Sequence, residues 1–195
     1  YMKKFNKALL IPLTGALLVT ACASPQVAYV DQNSVNSLST NFNQNDLRTT
    51  AQNMATQIIQ SGKMNQCKSY TISPVANKTD QYVDTSVMTN ALADKMQNSS
   101  AVKSTYVLSI DELGNQTDEL SRQNQSGLYD QSTTAKTGKM KGAQCRIDGK
   151  LTSDTSVSPS GKQTRVDYTF FVQVFDVQQG TAVWRNSQNI AKGMQ

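Results

Sequence analysis

The stretch Arg165-Val-Asp-Tyr-Thr-Phe-Phe-Val-Gln-Val-Phe-Asp-Val177 places Val166, Tyr168, Phe170, Val172 and Val174 at every second position. That alternation is the period of a strand buried on one face, and thirteen residues make it a long one. Gln178-Gln179-Gly180-Thr181 follows as a turn, and Ala182 to Ile190 is expected to pair back as a hairpin. On the other side, beyond the loop Ser158-Pro159-Ser160-Gly161, Ala143 to Thr152 reads as a further strand. The C-terminal part of the chain therefore predicts an antiparallel set.

Upstream the period changes. Leu47, Ala51, Met54, Ala55, Ile58 and Ile59 recur at helical spacing, with Asp46 able to cap the start and Gly62 to stop the helix. Ser69 to Val75 reads as a strand with Tyr70 and Ile72 on one face, ended by Pro74 and the turn Asn77-Lys78-Thr79. Asp84 or Thr85 opens a second helix that turns Val87, Met88, Ala91, Leu92 and Met96 inward. Tyr106-Val107-Leu108 marks another strand, Glu112 to Gln123 a weaker helix, and Asp130 to about Lys141 a fourth helix stopped by Gly142. The order is α-β-α-β-α-α-β-β-β. Strands separated by helices should be parallel and hairpin-linked ones antiparallel. The expected fold class is α/β: a mixed sheet of about five strands, helices packed on it, and a closing antiparallel hairpin.

The N-terminus carries a different signal. Lys3, Lys4 and Lys7 precede an apolar run from Ala8 to Val19, and Leu18-Val19-Thr20-Ala21-Cys22 closes it with small residues before a cysteine. A basic n-region, a short h-region and a small-residue cut site make a secretory signal, and the cysteine makes it a lipobox. The run is too short, and too broken by Pro12 and Gly15, to span a bilayer, which takes about 20 apolar residues. The expected division is a lipoprotein signal over 1–21, a tether lipidated at Cys22 over 22–45, and a globular domain over 46–195. Ala23 and Ser24 bring no aspartate after the cysteine, which points to the outer membrane, facing the periplasm. Ser24 to Asn45 is rich in Asn, Gln, Ser and Thr, as a tether should be.

Composition narrows the chemistry. The formal charge of +5 includes the three signal lysines; from Cys22 onward 16 Lys/Arg face 14 Asp/Glu. No basic stripe runs along the chain, so no nucleic-acid partner is expected. There is no histidine, which removes Ser-His-Asp and Cys-His catalysis and the commonest metal ligand. The pairs Asp111-Glu112 and Asp118-Glu119 read as a solvated helix face. No enzyme, cofactor, metal or small-molecule substrate is expected. Cys67 and Cys145 remain after lipidation, without a Cys-x-x-Cys spacing. In an oxidising compartment they are either bridged or two buried thiols. Cys67 lies just before one predicted strand and Cys145 at the start of another, and neighbouring parallel strands would bring them within disulfide range.

Particular segments carry a family resemblance. Lys68-Ser-Tyr-Thr-Ile-Ser-Pro-Val-Ala-Asn77-Lys78-Thr79, Val83-Asp84-Thr85, Gln125-Ser126-Gly127-Leu128-Tyr129-Asp130, Gly142-Ala143 leading to Gly149-Lys150-Leu151, and Phe175-Asp176-Val177 through Gly180 to Val183-Trp184 resemble, in order and spacing, the LpoB-type lipoproteins. The resemblance implies a fold like the N-terminal domain of the translocation protein TolB. It also implies an outer-membrane lipoprotein that activates a penicillin-binding protein, by contacting a bifunctional murein synthase, with no catalytic residues. The other reading from a different class is a structural subunit of a cell-envelope or secretion assembly. Candidate partner-binding residues are Asn77, Lys78 and Thr79, set where an open α/β sheet tends to place contacts, with Tyr129, Asp130 and Trp184. Each has a plainer reading. The first three can be a turn, Asp130 a helix cap, and Trp184 hairpin packing.

Overall fold

The computed structural model describes residues 42–194. Cys22, the signal 1–21 and most of the segment 22–45 lie outside the described residues. The elements run α1 (Gln44–Gln60), a 3-10 turn (Lys63–Gln66), β1 (Ser69–Ile72), β2 (Ala76–Lys78), α2 (Ser86–Gln97), β3 (Thr105–Tyr106), α3 (Ile110–Gln125), β4 (Cys145–Val157), β5 (Thr164–Asp176) and β6 (Thr181–Met194). The six strands form one mixed sheet in the order β3-β1-β4-β5-β6, with β2 also paired to β4. β1 is parallel to β3 and β4, β2 is parallel to β4, and β4-β5-β6 are antiparallel. The α/β class and the mixed sheet with its C-terminal hairpin are as the sequence predicts.

Local chemistry accounts for the helices. α1 starts in a capping box one turn earlier than Asp46 suggests. Asn43 Oδ1 accepts from Asp46 N at 2.9 Å, and Asp46 Oδ2 accepts from Asn43 N at 2.9 Å. Leu47, Ala51, Met54, Ala55 and Ile58 are buried along its inner stripe, and Gly62 follows its end at φ +67°. Met88, Ala91, Leu92 and Met96 are the buried stripe of α2. Both stripes meet the sheet face carrying Tyr70, Ile72, Ile147, Leu151, Tyr168, Phe170, Val172 and Val174, making one core. Phe42 is also buried there, stacked on Tyr168 at 4.7 Å, so the packed body begins ahead of the 46 boundary.

Two sequence expectations fail locally. Asn77-Lys78-Thr79 does not simply end the first strand: Ala76–Lys78 rejoins the ladder beside Lys150, Leu151 and Thr152 of β4. The break between β1 and β2 is at Pro74. There Val75 is buried, its N–H donates to Thr89 Oγ1 at 3.0 Å, and its carbonyl accepts from Thr85 Oγ1 at 2.6 Å. α2 thus satisfies the backbone that the sheet releases. Gly149 makes room for this inward step, since a Cβ there would lie 2.8 Å from Val75 Cγ2. The fourth helix from Asp130 is absent. That segment is turns and irregular chain, with Thr134 alone buried between 126 and 142. Its residues supply no apolar stripe to pay the ordering entropy of a helix.

Cys67 lies two residues before β1 and Cys145 opens β4, whose register sets Tyr70 opposite Cys145. The two cysteines are disulfide-bonded with Cα atoms 5.7 Å apart, closing a loop of sequence separation 78. We expect no free thiol from these two residues when unreduced, unfolded protein is titrated. Reduction should lower stability by up to about 4 kcal/mol in the chain-entropy account, seen as a lower denaturation midpoint. Two titratable thiols would show that the bridge does not form.

Candidate partner-binding surface

Between β3 and β4 the chain leaves the sheet as an arm, 107–144, that contains α3. Ser109 and Glu112 form a capping box, with Ser109 N donating to Glu112 Oε2 at 2.8 Å. The Tyr106 hydroxyl reaches the same oxygen at 2.9 Å. Partial burial pushes the Glu112 carboxyl up, but the hydrogen bonds from Ser109 and Tyr106 outweigh it and hold the group below its ordinary value. Burial and then that hydrogen bond push the Tyr106 phenol up.

α3 has no buried residue at all. A helix of this length is marginal in water without tertiary packing. What secures it is polar. Gln123 Nε2 donates to Glu119 Oε1 at 2.8 Å, Arg122 pairs with Glu119, Asn124 Nδ2 donates to Ala135 O at 2.8 Å, and Gln131 Nε2 donates to Gln123 O at 3.1 Å. Glu112 and Glu119 are thus structural, a cap and an ion pair. Meanwhile the arm shows apolar side chains to solvent: Ile110 is 83% exposed, Leu128 84%, Met140 48%. A groove of about 390 Å³ runs between β3 and α3, lined by Tyr106, Val107, Leu108, Leu113, Gln116 and Met140. The exposed Leu108 and Met140 along this groove make it a candidate binding surface. Among the described residues, no three His, Cys, Asp or Glu side chains gather as metal donors.

The structure separates the residues singled out from sequence. Tyr129 is on the arm, partly shielded, with the Arg122 guanidinium 6.0 Å over its ring. Asp130 is beside it but caps no helix. Its Oδ1 accepts from Ser132 N at 2.9 Å and Ser132 Oγ at 2.8 Å, which lowers its pKa and makes a local turn. Asn77 and Thr79 brace the body. Thr79 N donates to Asn77 Oδ1 at 2.9 Å, Asn77 Nδ2 to Gln81 O at 3.0 Å, and Gln81 Nε2 to Phe42 O at 3.4 Å. Lys78 alone of the three is exposed. Their β4 partner Leu151 is six residues from Cys145, where the arm returns. That is about 20 Å along a strand. Trp184 is half-buried on β6, opposite Val174, and packs against the core. The sequence reading missed Ile110, Leu113 and Met140; the spacing Ile110-Leu113-Leu120 within a polar helix was the available signal.

The family model described as "Peptidoglycan-synthase activator LpoB" matches residues 46–190. The chain belongs to the LpoB family. The match runs from α1 into β6, so it includes the arm, the groove and both bridged cysteines. Among solved structures, the LpoB C-terminal domain from Escherichia coli is similar at 18% identity, covering 74% of this chain and 98% of that one, with a TM-score of 0.45. The corresponding domain from Salmonella enterica has 15% identity, the same coverage, and a TM-score of 0.40. The lipoprotein GNA1162 from Neisseria meningitidis has 15% identity over 64% of this chain and 83% of its own, with a TM-score of 0.39. No curated protein matches significantly.

Because α3 lacks core contacts, its cap should act locally. Ser109→Ala is expected to cost about 1 kcal/mol, a roughly fivefold loss of amide protection, confined to α3. Glu112 has a depressed carboxyl, so its stabilisation is present above the ordinary glutamate range and is lost as pH falls through the folded value. Protection of α3 should therefore drop below about pH 4, and Glu112→Gln should reduce that pH dependence, leaving the part due to Glu119.

Proposed function

We propose that this chain is a non-enzymatic lipoprotein that binds and activates a bifunctional penicillin-binding protein, with the arm around α3 as the docking surface. The observation that carries the reading is the combination of membership in the LpoB family with an arm whose helix has no fully buried residue. Burying Ile110, Leu128 and Met140 against a synthase domain would supply the packing that α3 lacks. Tyr129, next to Leu128 beyond the C-terminal end of α3, adds an amphipathic side chain of the type enriched at interface centres. Activation then needs only that the arm binds the active conformer of the synthase more tightly than the inactive one. Asn77, Lys78, Thr79 and Trp184 are not part of this surface.

The test is glycan polymerisation by the synthase of the same organism, with and without the domain from residue 42 onward. The domain should raise the rate, and Ile110→Asp with Leu128→Asp should lower apparent affinity about tenfold or more while leaving the melting temperature within a few degrees. No rate change and no binding well above micromolar concentration would move the assignment to the second reading. That reading, a subunit of an envelope assembly, is favoured by one feature: β6 is a fourteen-residue strand at the sheet edge, open to pairing with another chain.

The placement of the domain is part of the same proposal. Cys22 carries lipid after cleavage of 1–21, and the segment up to the packed Phe42 tethers the body to the outer membrane on its periplasmic side. Cys22→Ser should leave the protein unprocessed or free of the membrane fraction. Normal processing and outer-membrane recovery of that variant would exclude the anchor.

A further inference from the structure

The alternation that builds the core leaves a second face, which no other element covers among the described residues. At the end nearer the β5-β6 turn this face gathers cations from three strands. Lys78 of β2, Arg146 and Lys150 of β4 and Arg185 of β6 surround Phe171 and Phe175 of β5. The registers bring this about: Lys78 sits beside Thr152, Lys150 opposite Phe171, Arg146 opposite Phe175, and Arg185 opposite Gln173. Asp148 is the one carboxylate among them, and Arg146 holds it with both ends of its guanidinium, at 2.9 and 3.0 Å. Lys78, Lys150 and Arg185 make no ion pair with a carboxylate among the described residues. A concavity of about 260 Å³ lies between Asp148, Lys150, Phe171, Gln173 and Arg185. The positive patch ends just past Lys78, where Asp154 of β4, two residues beyond Thr152, and Asp167 of β5 face each other beside Arg165.

This face is not built like the centre of a protein–protein interface, which is apolar and depleted of charge. Each ring lies under a cation, Lys150 Nζ at 5.2 Å over Phe171 and the Arg146 guanidinium at 4.7 Å over Phe175. The cations are spread rather than focused. β4 and β6 are about 10 Å apart across the sheet, and Arg146 and Lys150 about 13 Å apart along it. Charges so spaced on an open face match an extended polymer that carries an anionic group at intervals. We propose that this open face binds peptidoglycan itself, the sugar polymer whose stem peptides bear carboxylates, with Lys78, Lys150 and Arg185 taking the carboxylates and the Lys150–Phe171 pair lying against a sugar ring. The proposal rests on the synthase-activator reading, and it adds that the activator holds the polymer on one surface while its arm engages the enzyme. The patch and the β3–α3 groove share no residue.

The experiment is co-sedimentation of the full-length chain, in detergent, with purified peptidoglycan sacculi and no synthase present. The wild-type chain should pellet with the sacculi, less so as salt rises. Lys150→Glu with Arg185→Glu should weaken this about tenfold or more, and the milder Lys150→Gln with Arg185→Gln should fall between. Lys63→Glu with Lys162→Glu makes the same change in net charge away from the patch and should leave binding unaltered. Melting curves confirm that each variant is folded. Failure of the wild-type chain to pellet, or equal loss in the off-patch pair, would overturn the proposal. So would intact sacculus binding with lost synthase activation in the Lys150/Arg185 variants, which would assign the face to a protein partner. Synthase activation with no sacculus binding would leave the activator reading standing and refute this one alone.

Discussion

Every other strand takes its position, directly or through a neighbour, from β4. It is the one strand with parallel partners on one edge and an antiparallel partner on the other. A slip of one residue would exchange Cys145, Ile147, Gly149 and Leu151 on the core face for Arg146, Asp148, Lys150 and Thr152. That would bury the Arg146–Asp148 pair and Lys150, unpaired among the described residues, and expose the core, so the cost of the wrong register is large. The same alternation that makes the core therefore makes the basic face, and neither can be altered independently. Gly149 and the bridge at Cys145 reinforce this register from within, the first by admitting Val75 and the second by joining the start of β4 to the segment before β1.

The arm stands under a different constraint. Its stability comes from a capping box and side-chain amide bonds, not from apolar burial. Local opening of such an element costs little compared with unfolding the core. Such an element would suit the docking role proposed for the arm, because its exposed apolar area is not already buried in its own domain. The root of the arm is firm by contrast: Ser69 Oγ donates to Gly142 O at 2.9 Å, and Gln144 Oε1 accepts from Lys68 N at 2.9 Å. A soft arm on a rigid root can adapt its side chains while keeping its direction.

Much of the fold was legible in the sequence because period and burial coincide. Val166 to Val174 read as a half-buried strand because that is what they are, and α1 and α2 declared themselves through Leu47 to Ile58 and Met88 to Met96. Legibility failed where a partner distant in sequence decides. The rejoining of Ala76–Lys78 to the sheet depends on Thr85 and Thr89 of α2 and on the bare Cα of Gly149. The early start of the body depends on Phe42 finding Tyr168 and Gln81, more than thirty residues away. The segment after Asp130 offered a cap but no stripe, and a cap alone does not make a helix.

The sequence by itself determined the α/β class, the helices α1 and α2, the closing hairpin, the absence of histidine chemistry and the ordered segments that resemble the LpoB family, since all of these are properties of local period, spacing and composition. Only the tertiary structure decided which apolar residues stay outside and where the charge collects. Ile110 and Met140, unremarked in the sequence, show their exposure only once the arm is seen to leave the sheet. Lys78, Arg146, Lys150 and Arg185 are scattered over more than a hundred residues and become one surface only through strand register, because neighbouring strands place side chains of equal phase on the same face.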